Sequence, residues 1–153
     1  MAASNQVSDF CKDGKILTYL GDSQGQNKFI EASLGTNISF DFINKANSPT
    51  ILKTRFIDTY TKSKTFGVYD MNDELLNEVE DSKLCSKIDN CTEDYDLVIV
   101  VDYGHGLITP KVVNLLEKKS RYLAINTQLN SSNVGYHSVS KYNSADYVCI
   151  HEG

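Results

Sequence analysis

Residues 96–101, Asp-Leu-Val-Ile-Val-Val, are the most apolar run in the chain, and Asp102-Tyr103-Gly104-His105-Gly106 follows at once. Six residues are too few for a buried helix, and both ends of the run are polar. It therefore reads as a central parallel strand covered on both faces. A parallel strand reaches its neighbour through a crossover, usually a helix. The sequence supplies one, with Thr109 as N-cap, Pro110 at the first helical position, and Val112, Val113 and Leu116 on one face. Strand, turn and helix together commit the chain to an α/β fold.

The flanking sequence agrees. Ala3, Val7, Phe10 and Cys11 recur at helical spacing, residues 15–20 read as a strand, residues 26–34 as a helix closed by Gly35, and residues 38–43 alternate like a half-buried strand. Pro49 introduces an extended run over residues 50–60. Thr61-Lys62-Ser63 then serves as a hairpin turn, with residues 64–69 as the returning strand. Residues 70–89 carry Leu75, Leu76, Val79 and Leu84 on an acidic helical background, with Asn72 or Asp73 as N-cap. Residues 121–127 and 146–150 predict two more strands, and residues 138–142 one helical turn. This order predicts a single domain over residues 1–153, a three-layer α/β sandwich with a mostly parallel sheet and a projecting β-hairpin.

Charge narrows the partners. A net charge of -5 leaves no basic stripe for nucleic acid or an anionic membrane. No apolar run approaches the ~20 residues of a membrane span, and residues 1–10 lack a signal-peptide layout, so a cytoplasmic location is expected. Cys11, Cys85, Cys91 and Cys149 form no Cys-x-x-Cys pair and read as reduced thiols, without a metal site.

Ligands of open α/β sheets bind beyond the carboxyl ends of the strands, and residues 102–106 are the best candidate there. Asp102 can accept a hydrogen bond or face a metal-phosphate group, while Gly104 and Gly106 let backbone approach a ligand. The structural alternative, a tight turn capped by Asp102, weighs equally. His105 reads as a solvated turn residue, and His137 is given no role. His151 and Glu152 follow the last strand and would face a ligand. Lys53 and Arg55 alternate with Leu52 and Thr54 and project from one strand face, suited to a sugar phosphate or to a solvated strand face. Asn126, Thr127, Gln128 and Asn130 read as a polar loop after a strand, able to hydrogen-bond a sugar or nucleotide but equally able to satisfy a turn, and the acidic residues from Asp70 to Asp81 read as a solvated helix face.

In order along the chain stand Thr50-Ile-Leu-Lys53-Thr-Arg55, the run 96–106 with Leu107-Ile108, the strand Leu123-Ala-Ile-Asn-Thr-Gln128, and Ala145-Asp-Tyr-Val-Cys-Ile150. These resemble PfkB-family carbohydrate kinases over nearly all the chain. The match is nearest the branch with heptose-phosphate kinase domains, which are often fused to a sugar nucleotidyltransferase. The resemblance implies a ribokinase-like, Rossmann-like α/β/α core with a small β lid, truncated at both ends. ATP and Mg2+ would serve as cofactors of the intact enzyme, and a sugar or sugar phosphate as its substrate. Lys53 and Arg55 would lie near the sugar's phosphorylated end, Asp102, Gly104 and Gly106 near the phosphate path, and Asn126 near substrate or nucleotide.

The chain also departs from that family. The early Gly-Gly sugar motif would precede Ala2, and the family's Asn-x-x-Glu would place its Asn at His151 and its Glu beyond Gly153. The Gly-Ala-Gly-Asp segment with the catalytic base would lie further on. The expectation is therefore a kinase fragment inactive alone, prone to self-association through exposed strand edges. The rival is a non-catalytic module binding a ligand or partner. A dinucleotide-binding domain ranks last, because no Gly-x-Gly-x-x-Gly follows a strand.

Overall fold

The computed structural model describes residues 2–22, 26–128 and 138–150, in two compact units, residues 1–72 and residues 73–153. The first unit opens with helix α1 (Ala2–Ser8), strand β1 (Gly14–Leu20), helix α2 (Gln26–Ala32) and strand β2 (Ile38–Asn44). β1 and β2 are parallel, in register from Gly14↔Ile38 to Leu20↔Asn44. Side-chain amides seat the helices on this pair. Asn5 donates to Ser33 O at 2.7 Å and accepts from Gly35 N at 3.1 Å, and Asn37 donates to Ser8 O at 2.9 Å. α1 stops at Ser8, so Phe10 does not continue the apolar face expected of it and is 91% exposed.

Strands β3 (Leu52–Ile57) and β4 (Lys64–Asp70) form the expected antiparallel hairpin as a separate two-stranded sheet. β3 ends three residues before the expected Tyr60. Asp58 draws the chain into a turn there, its carboxylate accepting from Tyr60 N at 3.0 Å and from Thr61 N at 2.6 Å. Lys62 takes a positive φ of 56° in this turn.

The second unit holds helix α3 (Glu78–Asp89), strand β5 (Val98–Asp102), helix α4 (Pro110–Lys119), strand β6 (Leu123–Thr127) and strand β7 (Tyr147–Ile150), with one-turn 3-10 helices at Thr92–Asp94 and Val139–Lys141. α3 starts later than expected, because Asn77 and Glu80 form a capping box that the acidic sequence around Asn72 and Asp73 does not offer. Thr109 caps α4 and Pro110 opens it, as the sequence predicts. β5, β6 and β7 form a parallel sheet in that order.

Val100, Leu123 and Ile125 of this sheet join Leu84, Ile88, Val112, Val113 and Leu116 in the core of the unit. β5 is buried on one face only. Val100 and Asp102 are 5% and 3% exposed, whereas Ile99 and Val101 are 43% and 36% exposed, which corrects the expectation of cover on both faces. The described chain is thus mixed α/β, with small parallel and antiparallel sheets. Among the described residues no helix is long and apolar enough to cross a membrane.

Candidate functional site

The carboxyl end of β5 brings an ionised group into the interior. Strand alternation turns Asp102 to the same side as Val100, where it is 3% exposed. A buried carboxylate is stable only if its oxygens are satisfied, and three donors do this. Gly104 N donates to Oδ1 at 3.0 Å, the Tyr142 hydroxyl donates to Oδ2 at 2.7 Å, and the Lys141 ammonium pairs with Oδ2. Burial pushes the Asp102 carboxyl up, but Lys141, Tyr142 and the Gly104 N–H together outweigh it and hold the group below its ordinary value. Burial and the neighbouring Asp102 carboxylate push the Tyr142 hydroxyl well above its usual range, so Tyr142 is a fixed donor.

Two contacts place these partners. The 3-10 turn Val139–Lys141 carries Lys141, with Tyr142 directly after it. The Glu117 carboxylate of α4 then accepts from the N–H groups of Asn143 and Ser144, fastening the segment that leads into β7.

The turn after β5 is shaped by its glycines. Gly104 and Gly106 have φ of 71° and 80°, a region in which side chains other than glycine are strained. A Cβ on Gly106 would stand 1.9 Å from Glu74 O, and Leu76 N donates to Gly106 O at 3.3 Å. The close approach that glycine permits here is made by the chain's own backbone. His105 is 9% exposed with its ring stacked 6.1 Å from that of Tyr103, a correction to its reading as a solvated residue.

Asn126 pairs in register with Val101, one step from the Asp102↔Thr127 pair, so it faces the opposite side of the sheet from Asp102. Its Nδ2 donates to Cys149 O at 3.1 Å. Asn126 and Thr127 belong to β6 rather than to a loop. Lys53 and Arg55 lie in the first unit, one face of β3 carrying both opposite Tyr69 and Gly67, with Lys53 Nζ 5.3 Å from the Tyr69 ring centroid. The structure thus groups Asp102, Gly104 and Gly106 at one strand end, with Asn126 on the sheet's other face and Lys53 and Arg55 in the other unit. His151, Glu152, His137 and Asn130 lie outside the described residues.

Two features escaped the sequence reading. Lys141 and Tyr142 arrive from the segment before β7, whereas strand-end reasoning inspects the loops after strands. Glu80 and Asp81, expected on a solvated face, are 6% and 5% exposed. Glu80 closes the Asn77 capping box, and Asp81 accepts from the Thr109 hydroxyl at 2.6 Å where α3 meets α4. Thr109 as an N-cap three residues before Val112 was legible, but its second bond was not.

Among the described residues no three His, Cys, Asp or Glu side chains gather as ligands for a metal ion, and the Asp102 oxygens are engaged by Gly104, Tyr142 and Lys141. This donor set does not suit Mg2+, so no chemical step is assigned to a metal here. No family model matches the chain, and no curated protein matches it.

Proposed function

We propose that the chain is part of a PfkB-type carbohydrate kinase, transferring phosphate from ATP to a hydroxyl of a sugar or sugar phosphate, with a ribokinase-like three-layer core. The observation that carries this reading is the buried, ionised Asp102 at the carboxyl end of parallel strand β5, followed by Gly104-His105-Gly106. The antiparallel hairpin with Lys53 and Arg55 supports it as a lid element. No Gly-Ala-Gly-Asp stretch occurs within residues 1–153. The reading therefore assigns these residues contacts to sugar and phosphate rather than the base that takes the hydroxyl proton. It places the protein in the cytoplasm, as a homo-oligomer or fused to a nucleotidyltransferase, with ATP and Mg2+ bound by the intact enzyme.

A second reading, a ligand- or partner-binding module without catalysis, is favoured by one observation. Both oxygens of Asp102 are already engaged within the chain, so the carboxylate stands as a structural anchor.

ADP release from ATP and Mg2+ separates the two. It is measured with hexoses, heptoses and their phosphates, on residues 1–153 and on the longest translated product that includes them. Sugar-dependent ADP from the longer product, with none from residues 1–153, is expected. Its absence from both across the panel would overturn the kinase reading and leave the binding module.

A further inference from the structure

Lys141 is the cation that the candidate site holds in a fixed place. Its ammonium meets Asp102 Oδ2 and lies 5.3 Å from the Tyr142 ring centroid, and among the described residues it has no further partner. An ammonium carries three donor hydrogens, so the ion pair leaves donor capacity unused. The Lys141 side chain is 31% exposed while that of Asp102 is 4% exposed. The acceptor is sealed and the donor is reachable from solvent. The pair also stands at the carboxyl end of β5 in a parallel sheet, where ligands of such sheets bind.

We infer that Lys141 is the contact for a phosphate group at this site, with Asp102 and Tyr142 as the residues that position it. The inference rests on the kinase reading for the class of ligand, and adds a residue that reading does not name. A compact ammonium suits phosphate as a point charge. A lysine already anchored by an ion pair loses less rotamer freedom on binding than a solvated one. Because Asp102 cancels the charge of Lys141, the contact works through directed hydrogen bonds at short range more than through a net field. The shared chemistry is a phosphate group, carried either by a sugar or by a nucleotide.

The test follows the Lys141 side-chain signal by NMR in chain labelled with [15N]lysine, assigned by its loss in Lys141→Arg. Inorganic phosphate, a heptose or hexose phosphate, and ADP are titrated separately. At least one is expected to shift the signal saturably. That compound should bind Lys141→Met/Asp102→Asn, which keeps no unpaired buried charge, at least tenfold more weakly than Asp102→Asn alone. A signal unmoved by all three compounds, or equal binding by the two variants, overturns the inference. If inorganic phosphate moves the signal and neither ADP nor the sugar phosphate binds better, the anion site stands and the kinase reading fails. If ADP or the sugar phosphate binds with the Lys141 signal unmoved, the kinase reading stands and this inference fails.

Discussion

Asp102 keeps its charge at a position only 3% exposed because Lys141, Tyr142 and Gly104 together outweigh burial. Its folded pKa is lowered from the ordinary 3.8. The stabilisation it gives is therefore complete above that value and is lost as pH falls through the lower folded value. Acid denaturation of the wild-type chain should steepen below about pH 4. Asp102→Asn should flatten that limb while lowering stability at pH 7 by about 1–3 kcal/mol, since the hydroxyl and ammonium lose a charged acceptor. Unfolding curves taken from pH 2 to pH 7 decide this, and identical acid limbs would contradict it. Gly106 gives a second prediction at this scale. Gly106→Ala combines a positive φ with a Cβ 1.9 Å from Glu74 O, so thermal or urea unfolding should show a loss of about 2–4 kcal/mol. A loss below about 1 kcal/mol would mean that the backbone at Glu74 moves aside freely.

At the scale of elements, the two β-sheets best described by their cover are opposites. In the second unit Val100 of β5, Leu123 and Ile125 of β6, and Val112 and Leu116 of α4 are all buried. Among the described residues β3 and β4 form a two-stranded sheet, and Leu52, Phe56, Phe66 and Val68 are each about half exposed. A two-stranded sheet is marginal in water, and Phe56 and Phe66 stack across this one with ring centroids 4.4 Å apart. Amide hydrogen exchange should therefore find β3 and β4 far less protected than β5 and β6. Equal protection would mean that the hairpin is covered in solution.

The same contrast explains what could be read in advance. The types of the eleven described helices and strands follow from periodicity and punctuation, because each test is local: Thr109-Pro110 opens α4, and Gly35 follows the helix read over residues 26–34. The start of α3, the buried Asp81 and the partners of Asp102 were not legible. The last two depend on contacts between segments distant in sequence, Asp81 with Thr109 and Asp102 with Lys141, whereas the start of α3 is set by the local Asn77–Glu80 capping box.

At the scale of the whole molecule, the hairpin carries Lys53, Arg55, Lys62 and Lys64 against Asp58 and Asp70, in a chain whose net charge is -5. In the kinase reading this cationic element is the part that meets an anionic small molecule. Within the second unit, the parallel sheet supplies a strand end, a glycine turn and an ammonium held by a buried carboxylate. Both features fit a phosphorylated carbohydrate, which is the central claim of the kinase reading.

Calorimetric titration of hexose and heptose phosphates into the chain tests that claim most directly. One sugar phosphate is predicted to bind saturably, with affinity falling at least tenfold, or about 1.4 kcal/mol, in Lys53→Ala/Arg55→Ala. No saturable binding by any member of the panel, or binding that the double variant leaves unchanged, would contradict it.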